Sequence, residues 1–196
     1  MSCNILYHGT GMYTLAAILA EDTMFEGVHW GRKGEPHGPR FSRDYEMAKS
    51  FIANCTHWGQ GGVLILDGDA LARDFPVVSY RDVDCTGNHW SQDEQEEVVC
   101  TPSIPNLRKY LLGFAVDPAH IDLMLDPQYV EFAQEECGWP GDWDGRETAL
   151  LKHLAALKTH PLLNAHLPVG SSMPNNEGGI QPSAHDGEPD LLTMSQ

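Results

Sequence analysis

The chain is short of basic residues. Lys and Arg number 12 against 28 Asp and Glu, a formal charge of −16 over 196 residues. A protein that grips nucleic acid through its phosphates needs a basic face, and this balance argues against one. The same shortage argues against docking on anionic lipid. A small anionic ligand is still allowed, because it needs only a local pocket. No apolar run approaches the length of a membrane span. The stretch Met1-Ser2-Cys3-Asn4-Ile5-Leu6-Tyr7 has no basic leader followed by an apolar core, so no signal peptide is expected. Paired cysteines are lacking too. The five that occur (Cys3, Cys55, Cys85, Cys100 and Cys137) are odd in number and scattered, with no Cys-x-x-Cys. Reduced thiols and a cytoplasmic location are the expectation. A zinc site drawn from Cys55, His57, Cys85, His89 and Cys100 is a loose alternative, and no metal is expected. The glycine cluster from Gly59 to Gly62 precedes a strand, whereas a dinucleotide fingerprint follows one and opens a helix.

Apolar residues make up 41% of the chain, enough for a real core. The length suits one domain with an appendage. Asn4 to His8 reads as a short strand stopped by a Gly9-Thr10-Gly11 turn. Leu15, Ile18 and Leu19 recur at helical spacing over Thr14 to Glu21. Residues Gly27 to Pro39 read as a long loop, and such loops are often functional. Arg40-Phe41-Ser42 is a brief strand. A helix follows over Tyr45 to Ala53, with Asp44 as N-cap and Met47, Ala48, Phe51 and Ile52 as its buried stripe. Val63 to Leu66 reads as a buried strand closed by Asp67-Gly68-Asp69. Further strands are expected at Phe75 to Tyr80, Glu96 to Cys100 and Tyr110 to Val116. Helices are expected at His120 to Leu125 and Glu147 to Leu157. No Lys or Arg follows Lys158, and beyond Pro168 the residues are mostly Gly, Ser, Asn, Pro and acids, the composition of a disordered tail. The division expected is therefore 1–125 for the main domain, 126–166 for a helical extension packed on it, and 167–196 for the acidic tail.

Three pieces carry chemistry. They are Leu6-Tyr7-His8-Gly9-Thr10, then Phe41-Ser42-Arg43-Asp44-Tyr45 leading into a helix, then Asp93-Glu94-Gln95-Glu96-Glu97-Val98-Val99. Alternation along a strand puts Glu94 and Glu96 on one face, and Gln95 and Glu97 on the other. The acidic run has an ordinary reading as a solvated loop. The Ser42-Arg43-Asp44 trio has one as a helix cap with exposed charge.

In their order and separation the three pieces resemble the ADP-ribosyltransferase superfamily, especially its small bacterial and phage members, over Ile5 to Pro118. The resemblance implies an α+β fold: a split β-sandwich of two small, mostly antiparallel sheets with flanking helices and NAD⁺ in the cleft. It implies a mono-ADP-ribosyltransferase, a glycosyltransferase that breaks the nicotinamide–ribose bond. ADP-ribose then passes to a macromolecular acceptor, protein rather than nucleic acid. A phage effector working in the host cytosol, or a bacterial toxin, fits by analogy. No membrane partner is implied, and NAD⁺ is the substrate. Loss of nicotinamide leaves oxocarbenium charge on the ribose, which a fixed carboxylate can stabilise.

Carried over residue by residue, His8 meets the adenosine-side ribose or the diphosphate. Gly9 and Thr10 bring backbone near the nicotinamide amide. Ser42 braces the catalytic Glu or contacts ribose, Arg43 meets the diphosphate, and Tyr45 stacks on nicotinamide. The catalytic carboxylate is Glu96 first, Glu97 second, with Glu94 completing a Glu-x-Glu pair. His8 stands where many arginine-modifying members have Arg, and a single Ser42 replaces their Ser-Thr-Ser run; both departures bear on the acceptor. An NAD⁺ glycohydrolase is an alternative that needs the same site with water as acceptor. An NAD⁺-dependent RNA 2′-phosphotransferase is another, against which the scarcity of basic residues counts. A non-catalytic nucleotide- or protein-binding module is the third.

Overall fold

The computed structural model describes residues 4–27, 36–55, 60–80, 96–128, 146–171 and 173. They build an α+β fold whose main element is a six-stranded antiparallel sheet. The strands are β1 (Ile5–Gly11), β3 (Arg40–Ser42), β4 (Gly61–Asp67), β5 (Val77–Tyr80), β6 (Glu96–Val99) and β8 (Leu111–Val116), in the order β5-β6-β3-β1-β4-β8. A second, two-stranded sheet pairs β2 (Thr23–Phe25) with β7 (Ser103–Pro105). The helices are α1 (Met12–Glu21), α2 (Tyr45–Cys55), α3 (Gly68–Asp74), α4 (Pro118–Leu125) and α5 (Arg146–Leu157). The two sheets are thus antiparallel, as expected, but unequal in size.

Both faces of the large sheet are covered, and β4 shows why its sequence does not alternate. Leu64 and Leu66 enter one core with residues of α1, α3, α4, α5, β2 and β7. Val63 and Ile65 enter a second core with Tyr45, Ala48 and Ile52 of α2. All four side chains of this run are fully buried, which is what a strand sandwiched on both sides requires. Each contributes about 2 kcal/mol of apolar burial. Leu154 and Leu157 of α5 belong to the larger core, so the segment expected as an extension supplies part of the main interior.

Local chemistry sets the boundaries. The carboxylate of Asp44 accepts from the backbone N–H groups of Glu46 (2.8 Å) and Met47 (3.2 Å) at the start of α2. Asp117 does the same for Ala119 at the start of α4, where Pro118 takes the first helical position. Two expectations differ from the structure. Gly9-Thr10-Gly11 is not a turn: β1 runs through it, because Gly9, Thr10 and Gly11 pair with Val63, Gly62 and Gly61 of β4. Asp67-Gly68-Asp69 does not merely close β4. Asp67 accepts from Ala70 N–H at 2.8 Å and caps α3, a helix that the sequence reading leaves out.

Candidate active site

The three sequence pieces lie on three adjacent strands. β1 carries His8, β3 carries Ser42, and β6 carries Glu96 and Glu97. Tyr7 stands opposite Ser42, and Ser42 opposite Glu96. Phe41 stands opposite Glu97, and Glu97 opposite Ser79 of β5. Directly paired residues share a face of a sheet, and neighbours along a strand take opposite faces. The sheet therefore sorts the motif residues into two sets. Tyr7, Gly9, Arg40, Ser42 and Glu96 share the face covered by α2. His8, Thr10, Phe41, Ser79 and Glu97 share the other.

On the α2 face the carboxylate of Glu96 and the hydroxyl of Ser42 are engaged. Arg40 Nη1 donates to both carboxylate oxygens of Glu96 at 3.0 Å. Ser42, buried, accepts from Asp44 N–H at 3.0 Å through its Oγ, a local turn at the start of α2. Tyr45 is also buried, its ring edge-on to Tyr7 at 5.6 Å between centroids. Burial pushes its phenol up to about 12, with Glu46 and Tyr7 adding to the shift. Gly9 has no room for a side chain, since a Cβ there would stand 1.9 Å from the Ala48 carbonyl oxygen. Its role in the fold is to let α2 lie directly on β1.

The opposite face is arranged differently. His8 Nδ1 lies 2.8 Å from the Arg40 carbonyl oxygen. A carbonyl only accepts, so Nδ1 carries the proton, and in the neutral ring Nε2 is an acceptor. No other hydrogen bond to His8 is found among the described residues. Burial lowers its pKa below the ordinary imidazole value, partly offset by the bond to Arg40, so the ring is neutral near pH 7. Its edge rests against Phe41, 5.7 Å between centroids.

Glu97 is buried, and its interactions fall on a single oxygen. Oε1 accepts from Arg43 Nε at 2.9 Å and from Ser79 Oγ at 3.0 Å. Among the described residues no donor reaches Oε2. Arg43 is the more open side of the ion pair, with 42% of its side chain exposed against 9% for Glu97. His8 and Glu97 are separated by one intervening strand, so their backbones stand about 10 Å apart. Glu94 lies outside the described residues.

A groove of about 620 Å³ is found elsewhere, between α1 and α5, lined by residues including Tyr13, Ala17, Leu150 and His153. None of the motif residues lines it. Among the described residues no three His, Cys, Asp or Glu gather as metal ligands. His57, Cys85 and His89 lie outside them. Ser79 is the residue at this site that sequence reasoning missed. A serine in an expected strand carries no signal by itself, and only the β5–β6 pairing brings it to Glu97.

The fold and this cluster define an α+β protein with a carboxylate and a neutral imidazole on one face of an antiparallel sheet. Compared with protein-family models, with curated proteins and with solved structures, the chain matches none.

Proposed function

We propose that this protein binds NAD⁺, breaks its nicotinamide–ribose bond and transfers ADP-ribose to a macromolecular acceptor, with Glu97 as the catalytic carboxylate. The six-stranded sheet and the β2–β7 pair are, in this reading, the two unequal halves of an ADP-ribosyltransferase-like split sandwich. The observation that carries the proposal is the presence, on one face of the sheet, of a carboxylate and an imidazole that each keep one atom without a hydrogen-bond partner among the described residues: Oε2 of Glu97 and Nε2 of His8.

Their chemistry suits the substrate. An imidazole nitrogen bearing a lone pair accepts from a ribose hydroxyl; it offers nothing to a diphosphate, which has no proton to give. His8 is therefore assigned to a ribose hydroxyl, and Arg43, the guanidinium beside Glu97, to the diphosphate. When the C–N bond breaks, nicotinamide leaves as a neutral molecule and positive charge spreads over C1 and the ring oxygen. Glu97 Oε2, directed by the bonds on Oε1, stabilises that charge in a setting drier than water. The acceptor's nucleophile attacks C1, forming the new glycosidic bond as the bond to nicotinamide is lost, and its proton passes to solvent water. Glu96 is assigned a structural part, because its carboxylate is already taken by Arg40. A chain of charge −16 favours a protein acceptor over a nucleic acid.

The test is nicotinamide release from NAD⁺ by purified protein, with Glu97→Gln and Glu96→Gln in parallel. Glu97→Gln is expected to lower kcat by roughly a hundredfold or more, the scale of losing one preorganised electrostatic group. Glu96→Gln is expected to retain most of the turnover once corrected for folded protein. Equal rates for the unsubstituted protein and Glu97→Gln overturn the assignment. Labelled NAD⁺ added to cell lysate then separates transfer, which marks a macromolecule, from hydrolysis, which marks none.

A further inference from the structure

Ser79 lies on β5, one of the two edge strands of the large sheet among the described residues, opposite Glu97. Its hydroxyl donates to Glu97 Oε1 at 3.0 Å and accepts from Arg43 Nη2 at 3.2 Å. Arg43 Nε reaches the same Oε1 at 2.9 Å. The three side chains close a ring: Arg43 to Ser79, Ser79 to Glu97, and Arg43 to Glu97.

The terminal torsion of a glutamate is broad and nearly two-fold, so an unconstrained carboxylate presents either oxygen. Two donors converging on Oε1 restrict that freedom and leave Oε2 as the oxygen with no donor among the described residues. Arg43 alone would not do so. It is 42% exposed and long, and an exposed arginine holds one geometry weakly. Ser79 has a single side-chain torsion with three staggered positions, and the β5–β6 pairing sets it opposite Glu97, within reach of the carboxylate. It also ties down the guanidinium through the second bond.

We propose that Ser79 is a positioning residue for Glu97, holding the carboxylate so that Oε2 faces the nicotinamide-side ribose. This rests on the NAD⁺ reading above. Ser79 is exposed, so its hydroxyl can be removed without opening a cavity in the core. Its effect on turnover is thereby separable from an effect on folding.

The experiment measures kcat and KM for nicotinamide release in the full chain for the unsubstituted protein, Ser79→Ala and Ser79→Thr, with a melting curve for each. Ser79→Ala is expected to lower kcat roughly ten- to a hundredfold, the scale of one hydrogen bond to a charged group. KM is expected to change by less than about threefold, as befits an interaction felt in the transition state. The melting temperature is expected to stay within about 3 °C, as for an exposed substitution. Ser79→Thr keeps the hydroxyl and suits an edge strand, so it is expected to restore most of kcat. An unchanged kcat in Ser79→Ala, or a loss that Thr does not restore, overturns the role of Ser79 while the NAD⁺ reading stands. Absence of nicotinamide release from the unsubstituted protein overturns both.

Discussion

Arg40 Nη1 stands 3.0 Å from both carboxylate oxygens of Glu96, and the pair is largely covered, with 19% and 11% of the two side chains exposed. Such a pair is worth little when swapped whole for apolar residues, but breaking it strands a charge. Arg40→Ala is expected to cost about 3 kcal/mol in urea unfolding. The double variant Arg40→Ala/Glu96→Ala is expected to cost less than the sum of the singles by at least about 1 kcal/mol. Strict additivity in that cycle would mean the two charges are not coupled.

Stability should fall on the acid side of neutrality. Burial, the larger cause, holds the His8 pKa below its ordinary 6.5. His160 is lowered as well, by burial and then by Arg108. A histidine depressed in the folded state binds its proton more readily when unfolded. The stability it contributes is therefore complete above 6.5 and is lost as pH falls through the folded value. Urea midpoints at pH 7.5 and 5.5 measure the loss. His8→Asn, which keeps a donor near the Arg40 carbonyl but does not titrate, should flatten the His8 share of the slope. A variant with the full slope would remove His8 from this account.

Gly9→Ala should be severe and Gly27→Ala mild. A Cβ at Gly9 meets the Ala48 carbonyl oxygen at 1.9 Å and forces α2 off the sheet, whereas at Gly27 nothing among the described residues lies within 4 Å. Overpacking of this kind costs about 3 kcal/mol. Thermal unfolding of the two variants side by side gives the contrast, and equal melting temperatures would contradict the packing of α2 on β1.

Asp44→Ala removes the acceptor for two N–H groups at the start of α2. A loss of about 1 kcal/mol is expected in urea unfolding, as for other N-cap deletions. Asp44→Asn keeps an acceptor oxygen and should recover most of it.

Much of the fold was legible in advance. β1, β3, β4, β5, β6 and β8 lie where the sequence predicts strands, and α1, α2, α4 and α5 where it predicts helices, each within a few residues. The exceptions share a cause. α3 spans only Gly68–Asp74, and its capping Asp67 is the same signal that a turn gives. β2 and β7 are three residues each, too short for any periodicity to show.

The sequence alone determined that Glu96 and Glu97 point to opposite faces of a strand, because side chains alternate. Which face holds His8, and which lies under α2, was decided only when β6 paired with β3 and β3 with β1. That register gave Glu96 to Arg40 and left Glu97 with Ser79, a residue 18 positions away in the chain. Local propensity reports a side chain's direction relative to its neighbours in sequence. Its surroundings depend on strands that are far apart in the chain, and that information exists only after the sheet has formed.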